Sequence, residues 1–600
     1  MRRFQLILII LLAFSLRFFR LNDYPALNAD EAAIGYNAFS LIQTGKDEHG
    51  NLWPIHFQSF NDYKPGLYFY LVIPFVKVLG LNEWAVRVPN AFLGVVTVYL
   101  VYLLGKEAFP EKKIGTGNVS SPSRFELGTL ASLLLAISPW HIHFSRGGWE
   151  VNVATFFIVL AIYLFLKGIN HFGPEAFSPS DRQVCSRSLL RTIWYRISLA
   201  QTCAGCPQPE GRGIRELRIK NLAFLTLSVL SFSLSLYSYH AARIVVPLLI
   251  FGLMIIYRTE FKRNLKNFLF IGLVGFLAIL PLIREFKEVS ARASGVGLFA
   301  DPGPLARINE QRGEHKNYAS YSAKVLHNKA INYSLSFLEN WSKHFHGEFL
   351  FLSGDVIQRN RVPETGQLYI LDILLLVTGL GWMVRNQTKS SKLVFWWLVI
   401  APIASALTFQ SPNALRAENM VIPLEIISAY GLVIFLEKIS FIGLKLLRVM
   451  GYGIIGILVF WGFLRYIHMY WVHMAKEYPF SSQYGVKELV SYLKERENNF
   501  EKIIVTDKYD QPYILFLFYL NYPPKYFQSN HELTSRDKFG FSTVRTFDKY
   551  EFRSIDFAKN HLQNPNSLII GTDEEIPNSA NIVKGIYGTN GYLYFEVVAN

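Results

Sequence analysis

Runs of apolar residues long enough to cross a bilayer recur along this chain, and they limit its fold more than any other feature. A helix spans the hydrocarbon core with about 20 apolar residues. Such runs occur at 4–21, 84–104, 127–139, 151–166, 222–239, 244–257, 268–283, 368–384, 393–409, 421–436 and 444–464. They predict a polytopic α-helical membrane protein of eleven spans. Composition agrees: 51% of residues are hydrophobic and only 18% charged, against about 25% charged in a soluble chain. The net charge of +15 is read in so apolar a chain as basic loops beside a bilayer, not as a nucleic-acid surface. Three cysteines in 600 residues exclude a disulfide scaffold.

The loops orient the spans. Lys and Arg collect on the cytoplasmic side of short loops. With the N-terminus inside, the inner loops hold Arg2 and Arg3; Lys106, Lys112, Lys113 and Arg124; eight cations from Arg182 to Lys220; Arg258, Lys262, Arg263 and Lys266; Arg385, Lys389 and Lys392; and Lys438, Lys445 and Arg448. The short outer loops contribute Arg146, Arg243 and Arg416. A further apolar stretch, 66–80, contains Pro74 and Lys77 and is too short for a span. Counting it would invert every later loop, so it is expected to be interfacial or re-entrant. The first 20 residues lack a small-x-small cleavage site and read as an uncleaved helix. Arg17 and Arg20 near its outer end fit either snorkelling or an active-site role.

The expected organisation is a transmembrane domain over 1–470, with a first outer loop at 22–83, a cytoplasmic insert at 168–219 and a second outer loop at 284–367. An extracytoplasmic α/β domain over 477–600 follows. Its helical stretch is read at 486–497 and its strands at 502–506, 567–570 and 592–598.

Chemistry concentrates in the first outer loop. Asp30 and Glu31 follow Asn28-Ala29 just beyond the first span, and Asp62-Tyr63-Lys64-Pro65 precedes the short apolar stretch. An acidic pair at a helix start is explained by the helix dipole alone. Lys64 and the crowd of aromatics, Tyr24, Tyr36, Trp53, Phe57, Phe60 and Tyr63, argue for more, because sugar-binding surfaces are built this way. Three arginines stand at helix mouths on the outer face: Arg146 after Ser138-Pro139-Trp140-His141-Ile142-His143, Arg243 after His240, and Arg416 after Ser411-Pro412-Asn413. Headgroup contact explains any one of them. Together with Lys64 they suit a phosphate, which guanidinium forks hold bidentately.

The order Asp-Glu, Lys-Pro, Val86-Arg87-Val88-Pro89, Ser-Pro-Trp-His and a Pro-x-x-x-Arg loop resembles the bacterial membrane glycosyltransferases related to protein O-mannosyltransferases and to the aminoarabinose transferase of lipid A, which share the GT-C fold. The resemblance reaches to about Leu436 and is most specific over 16–107 and 136–167. It implies a polyprenyl-phosphate sugar donor, an extracytoplasmic acceptor and a place in the plasma (inner) membrane. By the same resemblance the acidic pair is Asp30 and Glu31, with Asp30 as base. The phosphate-contacting lysine is Lys64, and the arginine at the second span is Arg87. The carboxylate beyond the third span falls on Glu150, where some relatives carry Asp in a different local text. Arg243 and Arg416 join the expected phosphate contacts. Tyr36, Tyr63, His141, Arg146, Glu150 and His240 are the expected substrate-binding set. A carboxylate can take the acceptor's proton, and cations can neutralise the departing phosphate, so direct displacement with inversion needs no second acid.

Other signals are weaker. Cys203 and Cys206 with Cys185 read as free thiols, since a zinc site needs four ligands. His141 and His143 near Glu150, or Asp47-Glu48-His49, could ligate a cation or simply form hydrogen-bonded turns. No cofactor is firmly implied: members resembling protein O-mannosyltransferases act without a metal, whereas oligosaccharyltransferases of the same broad fold use one. A flippase of lipid-linked sugars would place ionisable groups near the bilayer midplane. Here they gather on the outer face. A non-catalytic envelope-assembly protein would tolerate loss of the loop-one carboxylates.

Overall fold

The computed structural model describes residues 2–59, 62–110, 125–170, 211–285, 297–478, 483–509, 511–535 and 542–600. The chain opens with α1 (Arg2–Phe18), α2 (Ala29–Thr44), a hairpin of β1 (His56–Ser59) and β2 (Asp62–Pro65), α3 (Leu67–Leu79), α4 (Glu83–Ala108), α5 (Leu127–Ile137), α6 (Pro139–Arg146) and α7 (Glu150–Asn170).

Among the described residues, six helices are long and apolar enough to cross a membrane: Glu83–Ala108, Glu150–Ile169, Ile219–Ser238, Leu265–Arg284, Glu418–Ser440 and Lys445–Glu477. A seventh is reached if α5 and α6, bent by 59°, form one broken span. The break lies at Ser138, which is extended and precedes Pro139. Proline disfavours helical backbone in the residue before it and lacks the N–H that would continue the ladder. The other four expected spans form shorter helices: α1 of 17 residues, Ala242–Ile256 of 15, Asp372–Arg385 of 14 and Lys389–Ile400 of 12. The α3 helix has only 13 residues, a rise of about 20 Å against roughly 30 Å of hydrocarbon.

One core joins the spans, with Trp140, Phe349, Trp397 and Ile427 inside it. Helices Glu418–Ser440 and Asp372–Arg385 touch backbone to backbone. A Cβ on Gly431 would lie 2.0 Å from the Leu375 carbonyl oxygen, and one on Gly379 would lie 2.2 Å from that of Ile427. Small residues permit such approach between apolar helices. In contrast, Leu265–Arg284 turns Leu269, Leu273 and Leu277 outward, the face a bilayer would cover.

After 483 the chain forms a seven-stranded mixed sheet in the order β4-β5-β6-β3-β7-β9-β8. The strands are β3 (Lys502–Val505), β4 (His531–Leu533), β5 (Val544–Phe547), β6 (Tyr550–Phe552), β7 (Ser567–Gly571), β8 (Ile582–Tyr587) and β9 (Leu593–Ala599). Central β3 runs parallel to β6 and β7. The three strands and the helix read from sequence are present, the helix as Val486–Lys494. Strands β4, β5, β6 and β8 and the buried helix Pro512–Leu520 add to them. A second core fuses this sheet and its helices to loop one, packing Ala32, Tyr36 and Phe69 with Ile514, Phe518 and Phe527. A Cβ on Gly35 would lie 2.6 Å from the Phe518 ring. Most of the 168–219 insert, with Cys185, Cys203 and Cys206, lies outside the described residues.

Gly431→Val should force Glu418–Ser440 away from Asp372–Arg385, with an overpacking cost of about 1–3 kcal/mol. Its apparent Tm in detergent is expected to fall below that of the native chain. An unchanged Tm would contradict this packing.

Candidate active site

Helix α2 begins where Asn28 caps it. The Asn28 side chain accepts from the Glu31 N–H at 3.0 Å, and Glu31 Oε2 accepts from the Asn28 N–H at 3.3 Å. This reciprocal box fixes the first turn. Successive helical side chains point about 100° apart, so Asp30 and Glu31 face different surroundings.

Glu31 turns inward. Its carboxylate takes Arg87 Nε and Nη2, both at 2.7 Å, and the Gly148 N–H at 2.7 Å. Arg87 also donates to the carbonyls of Leu21, Pro25 and Ala26 at 2.9, 2.8 and 3.2 Å. All five guanidinium donors are thereby used, and both side chains are buried. The expectations of Glu31 as a catalytic group and Arg87 as a phosphate contact are therefore corrected. The pair binds the 21–26 segment, α2, α4 and the turn before α7 into one unit.

Asp30 turns outward, its side chain 24% exposed between two cations. Lys64 Nζ donates to Oδ1 at 2.5 Å, and Arg359 Nη1 donates to Oδ2 at 3.3 Å. Lys64 projects from β2, whose register sets it opposite Phe57. Arg359 arrives from the second outer loop, 329 positions away. Its carbonyl bonds the His143 ring at 2.8 Å. Asp355 gathers the Ala414 and Ile357 N–H groups at 2.6 and 2.8 Å and the Asn360 amide at 3.0 Å. Burial pushes the Asp355 carboxyl above its ordinary range. The turn carrying Arg359 is thus tied to the 411–416 loop. Sequence reasoning missed Arg359 and Asp355. Their stretch carries no motif, and Arg359 is one basic residue among several in a long loop.

The remaining arginines are spread more widely than expected. Arg146 is fully buried and serves the end of α1, donating to the carbonyls of Leu16, Phe19 and Tyr24 at 2.7, 2.8 and 3.1 Å and to the Tyr470 hydroxyl at 3.0 Å. Carbonyls at a helix C-terminus lack intrahelical partners, so its expected contact with substrate is corrected to a cap. Arg17 is also buried, bonded to Ala136 O at 3.1 Å and to the His141 ring at 2.6 Å. That removes both the snorkelling reading of Arg17 and a substrate contact for His141. Tyr36 is buried, its hydroxyl donating to Tyr522 O at 3.1 Å, so it packs the interior instead of lining a site.

Arg243 meets the His240 ring at 3.2 Å and the His56 ring at 2.7 Å, and His56 meets Glu285 at 2.5 Å. His56 pairs with Pro65 in the hairpin, one register step from the Phe57–Lys64 pair. Alternation therefore puts His56 and Lys64 on opposite faces of the ribbon, with Tyr63 on the His56 face. Arg416 bonds Thr408 Oγ1 at 2.7 Å and its own loop's Asn413 at 2.9 Å. Glu150 is buried at the start of α7. Asp47 accepts from the N–H groups of His49 and Asn51 at 3.0 and 2.8 Å, a polar turn. Beside it Glu48 is wholly buried, and desolvation pushes its carboxyl up to about 8 while lowering His49 to about 4. Among the described residues no three His, Cys, Asp or Glu side chains are grouped to hold a metal ion.

Arg87→Ala would leave the Glu31 carboxylate buried without its partner, a loss of about 3–5 kcal/mol. Its folded yield on size exclusion should collapse, and the double variant with Glu31→Gln should recover part of it. Glu48 gives a pH signature. Its raised folded pKa contributes stability that is complete below about 4.5 and lost as pH climbs through about 8. Glu48→Gln should flatten that decline in a series of melts from pH 5 to 9; an unaltered slope would place the titration elsewhere.

Residues 7–178 match the model of the dolichyl-phosphate-mannose-protein mannosyltransferase family, a segment that contains Asp30, Lys64 and Arg87. No curated protein matches the chain. Among solved structures, ArnT from Cupriavidus metallidurans bound to undecaprenyl phosphate is similar over 99% of this chain and 97% of its own, at 10% identity and TM-score 0.50. The oligosaccharyltransferase AglB from Archaeoglobus fulgidus, in complex with an inhibitory peptide and a dolichol-phosphate, matches 86% of this chain at 14% identity and TM-score 0.48. The chain spans 63% of that protein's length. At 10% identity the likeness to ArnT is one of fold. The chain thus resembles the dolichyl-phosphate-mannose-protein mannosyltransferase family in sequence over residues 7–178 and ArnT in fold along nearly its whole length.

Proposed function

We propose that this protein is a membrane glycosyltransferase that moves a sugar from a polyprenyl phosphate to an extracytoplasmic acceptor. The observation that carries the reading is Asp30: a partly exposed carboxylate at a helix start, 2.5 Å from Lys64 and 3.3 Å from Arg359. In the proposed step Asp30 takes the proton of the acceptor hydroxyl. The acceptor oxygen bonds to the anomeric carbon as the carbon–oxygen bond to phosphate breaks, and the electron pair leaves with the phosphate. Attack opposite the leaving group inverts the anomeric centre. Lys64 and Arg359 exchange Asp30 for the phosphate oxygens and offset the charge that grows there. Arg243 braces the hairpin from its other face, and Arg416 extends the positive rim next to the Asp355 turn. The match of residues 7–178 to a mannosyltransferase family and the undecaprenyl phosphate bound by ArnT support this donor class.

The same proposal places the protein in the plasma (inner) membrane with its N-terminus cytoplasmic. The four shorter apolar helices complete eleven spans, and 477–600 forms an extracytoplasmic domain. The alternation of basic loops supports that orientation.

The test is transfer by the purified full-length protein in lipid, given radiolabelled polyprenyl-phosphate sugars and envelope extract. Asp30→Asn should lower turnover by about a hundredfold or more while donor binding persists. Lys64→Ala and Arg359→Ala should each weaken donor affinity about tenfold or more, as expected for lost charge-assisted bonds. A fully active Asp30→Asn variant would end the assignment.

A further inference from the structure

A cleft of about 250 Å3 opens between loop one, the start of α4 and the chain after 483. Tyr484 and Tyr519 supply aromatic surface in its wall, and Asp23, Glu83 and Glu488 supply carboxylates against the single ammonium of Lys487. Glu83 is already engaged, by Lys487 at 2.7 Å and by the Tyr519 hydroxyl at 3.3 Å, which fixes that side of the cleft. Glu488 stands exposed on the helix Val486–Lys494. The cleft adjoins the site just described: Ala26 and Leu27 line it, and Gln483, also in its wall, accepts from the Ala29 N–H at 2.6 Å. Asp30 is the next residue.

We propose that this cleft is the acceptor subsite and takes an uncharged, hydroxyl-rich saccharide. The inference rests on the glycosyl-transfer reading and names its acceptor class. Tyrosine faces suit the apolar faces of sugar rings, while carboxylates and amides accept and donate to ring hydroxyls. Arg20 lies 3.8 Å from Asp23 and Lys487 holds Glu83 at 2.7 Å, so the exposed Glu488 is the carboxylate that repels anionic glycans and phosphates. The small volume fits one or two rings, below the usual 300–1,000 Å3 of a drug-sized pocket. Through Gln483 and the Ala29 N–H the cleft wall is joined to the residue before the proposed base.

The experiment is saturation-transfer NMR on the full-length protein in lipid nanodiscs, with chitotetraose and maltotetraose as neutral probes, tetragalacturonate as the anionic probe and a Ser/Thr-rich peptide as the protein-type probe. At least one neutral probe should bind, with the uronate about tenfold weaker or silent. Tyr484→Ala and Glu488→Ala should each weaken the neutral probe about tenfold. Glu488 is a surface position, so that variant folds even if Tyr484→Ala does not. Silence from both neutral probes, equal binding of the uronate, binding of the peptide alone, or binding indifferent to Glu488→Ala would each overturn the proposal. Asp30→Asn separates the two readings. It should keep saccharide binding while losing transfer, so retained transfer sinks the enzymatic assignment and lost saccharide binding sinks the subsite.

Discussion

A carboxylate and a guanidinium buried together bind each other because neither has water to turn to. Removing one leaves an uncompensated charge in a medium that penalises it by several kcal/mol. Glu31 and Arg87 are in that position, and Arg87 spends its remaining donors on three carbonyls of the 21–26 segment. The pair therefore sets the angle at which the chain leaves the first helix and enters the second. That angle decides where Asp30 points. Two adjacent carboxylates thus divide their work by helical geometry: one is locked inside, and its neighbour is displayed between Lys64 and Arg359.

Much of the site was legible from residue order. Asp30, just past the first span, and Lys64, before the short apolar helix, come together with 2.5 Å between their charged atoms. What sequence could not reveal was burial. Arg87, Arg146, Arg243 and Arg416 look alike in a string, yet the first two are wholly enclosed and each spends three hydrogen bonds on backbone carbonyls. Arginine carries five donors and is favoured at phosphates and at helix ends for the same reason, so residue type alone cannot choose between those fates. Arg359 was invisible for the opposite reason: its role depends on a contact across 329 positions. The apolar runs marked helices correctly, but the 59° bend at Ser138-Pro139 and the four short helices show that a run's length and a helix's length differ wherever proline or a turn intervenes.

The chain after 483 is not an appendage to the membrane part. Its buried helix Pro512–Leu520 packs on α2, Tyr36 reaches into it, and Lys487 meets Glu83 at the mouth of α4. One hydrophobic core runs from loop one into the sheet. The helix that carries Asp30 is therefore clamped from two sides, by charge near its capped end and by apolar packing along its length.

The order of strands in the sheet adds a timing rule. Strand β9, residues 593–599, is an interior strand between β7 and β8, and the sheet supplies the surface that holds α2. The ribosome must pass residue 599 before the helix made more than 550 residues earlier acquires its full support. A nascent or prematurely terminated chain would already sit in the bilayer, yet its first extramembrane helix would lack the clamp. Translation to the end of the sheet is in this sense an arming step.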